Sequence, residues 1–114
     1  MSKYITNHLP KYRNLLALIR DGEENARSMR ELSRECGVSC REFRRMIELA
    51  RKDGAIIASS DAGYYIPSCD EELVEYYRRT RYRINTSIDA LRPVEAIVDE
   101  IMDGLLEGSD YEIE

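Results

Sequence analysis

The sequence has little histidine, cysteine, tryptophan or phenylalanine, and the first two of these build many catalytic and metal centres. Its 114 residues include no tryptophan, one phenylalanine, one histidine and three cysteines. An odd number of cysteines does not form a closed set of disulfides, and one histidine with one Cys-x3-Cys pair lacks the paired spacing of a zinc site. We therefore expect no metal and no cofactor. Without a nucleophile pattern beside His8 or a glycine-rich phosphate loop, we expect no enzyme.

Long apolar runs are missing as well. No run approaches the roughly 20 residues that cross a bilayer, and residues 1–14 lack the apolar segment of a signal peptide. We therefore expect a cytoplasmic protein with no membrane partner. A hydrophobic content of 43% suffices for one small core, while 34% charged residues keep the surface solvated.

Basic residues are in the minority but are not evenly spread. The net charge is −5, yet residues 1–70 carry +2 and residues 71–114 carry −7. Residues 28–52 hold seven bases against four acids, residues 76–83 hold four arginines and no acid, and residues 93–114 hold eight acids and no base. The chain therefore has two basic segments, 28–52 and 76–83, and one acidic segment, 93–114.

Apolar periodicity and capping residues predict three short helices. The first spans about Pro10 to Arg20. The second follows the N-cap Ser28 and ends at Gly37, and the third follows the N-cap Ser39 and ends near Asp53. Each N-cap has a glutamate three positions later, which is the spacing of a capping box. The side chains expected to face inward are Met29, Leu32, Cys36, Phe43, Met46, Ile47 and Ala50.

After the third helix the pattern changes to that of strands. Residues 55–59 and 64–67 are short, apolar and β-branched or aromatic, and residues 60–63 have turn chemistry, which predicts a β-hairpin. A long helix follows from about residue 68 to Leu91, with an interruption at Pro93 and a second helical pattern behind it. We predict a domain over 8–67, a helical extension over 68–107 and a frayed acidic tail over 108–114.

The predicted order of helix, helix, tight turn, helix and hairpin is that of a winged helix-turn-helix. Gly37 lies at the turn, where a left-handed backbone is needed, and Ser33 is a small residue where the two helices approach. The expected fold class is mainly α with a small β-hairpin: a winged helix-turn-helix followed by a long C-terminal helical extension. A plain helical hairpin remains the alternative.

The third helix places arginines opposite its predicted core face. Arginine forms two parallel hydrogen bonds with guanine edges or phosphates, and a recognition helix presents its N-terminal residues to the bases. A solvated, salt-paired helix face is the alternative. The expected DNA-binding residues are Ser28, Ser39, Cys40, Arg41, Arg44, Arg45, Arg51 and Tyr64.

The segment Gly63-Tyr64-Tyr65-Ile66-Pro67, with the acidic and then arginine-rich helix behind it, resembles small winged helix-turn-helix proteins of phages and prophages of Gram-positive bacteria. The hairpin is also similar to the wing of the DNA-binding domain of biotin-operon repressors. The resemblance spans about residues 10–91 and implies a DNA-binding mode. The chain departs from a strongly basic wing, since Asp61 stands at the predicted tip.

These observations favour a sequence-specific DNA-binding protein, a transcriptional regulator of a phage or mobile element acting on double-stranded DNA in the bacterial cytoplasm. The alternative is a phage-encoded winged helix that binds a host protein and inhibits a defence nuclease, in the manner of an anti-CRISPR protein, with acidic residues from Glu95 onward imitating DNA.

The long helix repeats apolar residues at a seven-residue step. Tyr77, Ile84, Leu91, Val98 and Leu105 form this stripe, which suits the seam of a helical homodimer. Packing of the same stripe within one chain is the alternative. The arginines of residues 76–83 are expected either to contact nucleic acid or to pair with nearby acids.

Overall fold

The computed structural model describes residues 3–5 and 8–113, and the side chains among them as far as residue 105. The protein is mainly helical with one small hairpin and a long C-terminal helix, which confirms this part of the expected fold class. The elements in chain order are α1 (Arg13–Leu18), α2 (Met29–Cys36), α3 (Cys40–Lys52), β1 (Ala58–Ser60), β2 (Gly63–Tyr65) and α4 (Asp70–Ile113).

The first helix is shorter than the sequence pattern predicts. A 3-10 turn over Pro10–Tyr12 leads into α1, which ends at Leu18 instead of Arg20. Ile19 is extended, with φ −95° and ψ 121°, and the carbonyl of Arg20 accepts a 2.9 Å hydrogen bond from the backbone N–H of Ile66. An extended backbone cannot continue an α-helix, so pairing with the segment after β2 ends α1 early.

The connection between α2 and α3 forms as predicted. The hydroxyl of Ser28 accepts the backbone N–H of Glu31 at 3.1 Å, and the hydroxyl of Ser39 accepts that of Glu42 at 3.1 Å. Each serine satisfies an N–H group that the first helical turn leaves free. Gly37 adopts φ 69° and ψ 29°, a left-handed conformation that side chains disfavour. Both N-caps and the glycine turn are therefore confirmed.

The predicted hairpin is present, and its second strand has a further pairing partner. β1 and β2 are antiparallel, with a two-residue turn at Asp61 and Ala62. On the other edge of β2, the backbone N–H of Tyr64 donates to the carbonyl of Arg27 at 2.9 Å, and the reverse bond is 3.1 Å long. A 3-10 turn over Glu23–Asn25 leads into Arg27, and residues 21–27 have no alternating apolar pattern, so the sequence did not predict this pairing.

The core lies beneath α3 and the hairpin. Phe43 and Ala50 are fully buried and Ile47 nearly so, as their spacing predicts. Partly buried side chains pack against this core, and they include the other residues predicted to face inward, Met29, Cys36 and Met46. Ser33 is buried with its hydroxyl 3.4 Å from the Cys40 sulfur, which confirms a small residue where α2 meets α3. Further core residues are Tyr12, Leu15, Ile19, Leu32, Ala55, Ile57 and Ile66.

The long C-terminal helix continues across the predicted interruption. α4 includes Pro93, so the expected break at Arg92–Pro93 is wrong. A proline removes one backbone hydrogen bond from a helix, and the turns on both sides keep theirs. The helix also includes residues 108–113 of the predicted tail, and Glu114 lies outside the described residues.

The chain divides into two units, Met1–Tyr77 and Arg78–Glu114. The start of α4 belongs to the first unit because its side chains contact that unit. The guanidinium of Arg51 lies over the ring of Tyr76 at 5.6 Å, and the carboxylate of Glu72 accepts the backbone N–H of Glu23 at 3.0 Å. The first unit therefore includes the N-terminal turns of α4 as far as Tyr77. Of the helices in the described part of the chain, none has both the length and the apolar composition of a membrane span.

Candidate nucleic-acid interface

The arginines of α3 lie on its solvent-facing side. Arg41, Arg44 and Arg45 are exposed, while Phe43 and Ile47 between and beyond them are buried. Successive helical residues are rotated by about 100° around the axis, so this sequence separates a basic outer face from an apolar inner face. The predicted exposure of the three arginines is confirmed.

Carboxylates in the described part of the fold do not neutralise these arginines. Arg44 donates to the sulfur of Met29 at 3.7 Å, and within residues 3–5 and 8–105 none of the three arginines forms an ion pair. Together with Ser39, Glu42 and Glu48 they line a shallow, open depression on α3. Their guanidinium groups are thus available to an external partner. Two acids share the depression, Glu42 and Glu48, and Glu48 pairs with Lys52 at 3.2 Å.

Helix α2 separates its charges in the same way. Met29 and Ser33 contact α3 through Arg44 and Cys40. Arg30 and Arg34 follow those two contact residues by one position, and Glu31 and Glu35 follow them by two. At about 100° per residue, the arginines flank the contact with α3, and the glutamates lie farther round the helix. Arg30 and Arg34 are exposed and, among the described residues, form no ion pair.

The two glutamates of α2 are occupied by one buried arginine. Arg27 is 7% exposed and donates to Glu31 at 2.8 Å, to the carbonyl of Leu18 at 3.3 Å, and to both carboxylate oxygens of Glu35, in one bond at 3.1 Å. Hydrogen bonds from Arg27 lower the pKa of Glu35, and those of Glu35 and Glu31 raise the pKa of Arg27. This ion-pair cluster removes two negative charges from competition with the outer arginines.

The cluster predicts a pH dependence of stability. The folded-state pKa of Glu35 lies below its ordinary value of 4.5, so its contribution is complete above pH 4.5 and is lost as the pH falls through the lowered pKa. We expect Glu35→Gln to unfold at a lower temperature than the wild type near neutral pH, and the gap to narrow below pH 4.5. Thermal unfolding followed by circular dichroism from neutral to acidic pH measures this.

Other carboxylates also become protonated as the pH falls, but the wild type and Glu35→Gln share them. The difference between the two unfolding temperatures therefore reports on Glu35. The pKa of Asp70 is lowered by its hydrogen bonds from Lys3 and Tyr4, and both proteins retain that group. A gap that stays constant down to the acid limit would contradict the role of Glu35.

Three of the predicted DNA-binding residues are engaged in the fold. The sulfur of Cys40 faces Ser33 at 3.4 Å. Arg51 donates to the carbonyl of Ile57 at 2.9 Å and its guanidinium lies 5.8 Å from the ring of Tyr64. That ring meets Phe43 edge-on, with centroids 5.7 Å apart. These side chains are half-buried and connect α3 with α2 and the hairpin, whereas Ser28 and Ser39 are exposed N-caps.

The sequence pattern did not predict that Arg30 and Arg34 lie beside the exposed arginines of α3. It also did not predict that Arg27 binds the two glutamates of α2. The available signal was the repeat of Arg-Glu at 30–31 and 34–35, because residues four apart lie on one helical face. The burial of Arg27 had no local signal, since it depends on pairing with Tyr64. We define the basic surface as Arg30, Arg34, Arg41, Arg44 and Arg45.

The tip of the hairpin differs from the basic surface. Its two turn residues, Asp61 and Ala62, are exposed and carry one negative charge between them. Contact between this tip and phosphate groups is therefore unfavourable. In the described ranges, no group of three His, Cys, Asp or Glu side chains is placed to hold a metal ion.

Comparisons with known proteins place no further constraint on this surface. No protein-family model matches the chain, and neither a curated protein nor a solved structure is significantly similar to it.

Proposed function

We propose that the chain is a winged helix-turn-helix protein that binds double-stranded DNA in a sequence-specific manner. In this assignment α2 and α3 form the helix-turn-helix, β1 and β2 form the wing, and α3 is the recognition helix. The observation that carries the proposal is the basic surface: its five exposed arginines have no carboxylate partner among the described residues, while Glu31 and Glu35 are held by Arg27.

The mechanism follows from the position of each arginine. The N-terminal half of α3 enters the major groove, where Arg41, Arg44 and Arg45 donate to base edges and adjacent phosphates. Guanine is the preferred base because its two acceptors match the guanidinium fork. Helix α2 crosses the backbone, and Arg30 and Arg34 contact phosphates there. The exposed Ser28 and Ser39 hydroxyls lie at the helix N-termini, which favour phosphate.

The biological role is proposed from the resemblance of residues 63–67 and the helix behind them. In this proposal the protein is a transcriptional regulator of a phage or mobile element and acts in the cytoplasm of the bacterial host. The acidic net charge of −5 lowers non-specific affinity for DNA, since that affinity comes from basic charge. The protein therefore depends on base contacts more than a strongly basic protein does.

The contribution of α2 is tested by salt dependence. We expect Arg30→Ala/Arg34→Ala to weaken binding by a similar factor for every duplex sequence, and to reduce the slope of log K against log salt by about 2, since each phosphate contact contributes about 1. Fluorescence anisotropy on labelled duplexes at several salt concentrations measures both quantities.

Lys11→Ala is the control, because it removes an exposed positive charge from the turn before α1. Its slope should equal that of the wild type. An unchanged slope in the double variant would remove α2 from the proposed interface.

A second candidate function is binding of a host protein, such as a defence nuclease, through surface acids that imitate DNA phosphates. It is favoured by Glu95, Asp99, Glu100 and Asp103, which are all exposed on α4 without a basic residue among them. This function predicts that the purified protein competes with DNA for such a nuclease and has no preferred duplex of its own.

A further inference from the structure

The second unit of the chain exposes an apolar helix face. Every side chain from residue 81 to residue 105 is exposed, although this part of α4 contains many aliphatic residues. The four members of the seven-residue stripe in this unit are between 44% and 61% exposed, namely Ile84, Leu91, Val98 and Leu105. Isolated exposed aliphatic residues are ordinary on protein surfaces, whereas a contiguous face of this length marks an interaction site.

The stripe is symmetric about its middle residue. Leu91 is flanked by Ile88 and Val94 three positions away on each side, and by Ile84 and Val98 seven positions away. A second copy of α4 running in the opposite direction would therefore place apolar residues against apolar residues on both sides of a two-fold axis at Leu91.

The charges of α4 select this direction. Residues 78–83 carry four arginines and no acid, and residues 99–104 carry three acids and no base. With a two-fold axis at Leu91, each of these segments lies opposite the other in the partner helix. In a parallel pair each segment would lie opposite its own copy, so that four arginines faced four arginines, and like charges in opposition disfavour association.

We propose that two copies of the chain associate through α4 as an antiparallel helical pair, with the two-fold axis near Leu91. The occupant of the exposed apolar face is the same face of a second copy. Arg83 in one copy lies in the region of Asp99 of the other. The arginines of residues 78–83 thereby have a partner other than DNA, and this assembly does not require DNA to be bound.

The direction of the pair is tested by the distance between spin labels in the full chain. Cys36, Cys40 and Cys69 are replaced by serine, and a single cysteine is introduced at Met102 or, as the matched control, at Ala90. In an antiparallel pair the two Met102→Cys labels are separated by ~33 Å along the helix axes, and the two Ala90→Cys labels by ~3 Å. In a parallel pair neither has an axial separation, and only the about 10 Å between axes remains.

Pulsed electron paramagnetic resonance gives these distances, and light scattering at micromolar concentration gives the mass. We expect a mass twice that of the 13.3 kDa chain, a long Met102→Cys distance and a short Ala90→Cys distance. A mass of one chain, a mass above two chains, or a short distance at both positions would overturn the proposal.

A charge exchange tests the same geometry without cysteine substitutions. Arg83→Glu is expected to raise the dimer dissociation constant by about tenfold, because the carboxylate introduced at this position would face the acidic segment of the partner. Adding Asp99→Arg should restore the wild-type constant. Failure of the second substitution to restore association would contradict the antiparallel pairing, whatever the outcome of DNA-binding experiments.

Discussion

Replacement of Arg41, Arg44 and Arg45 by alanine is expected to lower the affinity of the protein for its preferred duplex by more than about 100-fold. Each base contact by an arginine contributes about 1–3 kcal/mol, and about 1.4 kcal/mol corresponds to a factor of ten. The three side chains are exposed and form no ion pair within the described residues, so their removal should leave the core intact. Fluorescence anisotropy at one fixed salt concentration measures the loss.

The matched control keeps the positive charge of one arginine and removes its planar guanidinium group. Arg44→Lys retains a positive charge but cannot form two parallel hydrogen bonds with guanine. We expect it to bind random duplexes as the wild type does and to discriminate less between the preferred duplex and its variants. Thermal unfolding should be similar for all of these proteins. A triple variant that folds and retains wild-type affinity would contradict the assignment of α3 as a recognition helix.

Gly63→Val is expected to destabilise the fold by about 2–6 kcal/mol, the sum of a conformational cost and a crowding cost. Gly63 has φ +125°, a conformation that costs other residues about 1–3 kcal/mol. A Cβ atom there would lie 2.1 Å from the carbonyl oxygen of Arg27, and crowding of a packed site adds about 1–3 kcal/mol. The obstructing atom belongs to the backbone and cannot rotate away. Urea unfolding monitored by circular dichroism gives the free energy of unfolding.

Gly54→Val separates backbone strain from crowding. Gly54 also has a positive φ, +107°, but a Cβ atom there would meet nothing within 4 Å. We expect this variant to lose only the cost of the conformation, about 1–3 kcal/mol. Equal losses at the two glycines would show that β2 does not approach the backbone of Arg27 in solution.

Local chemistry made the first half of the fold predictable. Ser28 and Ser39 accept the N–H of the residue three positions later, and Gly37 takes the left-handed turn, because each effect depends only on neighbours in the chain. The hairpin was predictable for the same reason, because turn residues separate two short apolar segments. Phe43 and Ile47 followed from helical spacing.

Interactions between distant residues account for what was missed. Arg27 is buried because its backbone pairs with Tyr64 and its side chain reaches Glu35, and neither relation has a local pattern. Arg51 donates to the carbonyl of Ile57, which lies beyond the end of α3, so helical spacing does not predict this contact. The sequence predicts a break at Pro93 because proline disfavours the interior of a helix. The flanking turns nevertheless keep their hydrogen bonds, and α4 continues past this residue.

The candidate site was only partly predictable. The exposure of Arg41, Arg44 and Arg45 followed from helical periodicity. The ion pairs that the nearby glutamates of α2 form with Arg27 did not. Whether Glu31 and Glu35 neutralise the surface depends on the position of Arg27, which the fold determines. The same composition with those glutamates facing α3 would have given a balanced, salt-paired surface.

Selection from random duplex DNA with the purified wild-type chain, with the triple variant Arg41→Ala/Arg44→Ala/Arg45→Ala in parallel, tests the central claim most directly. The basic surface predicts an enriched site that contains guanine at the positions read by α3, with no enrichment by the variant. A wild-type protein that enriches no sequence, or that enriches the same sequence as the variant, would contradict the account.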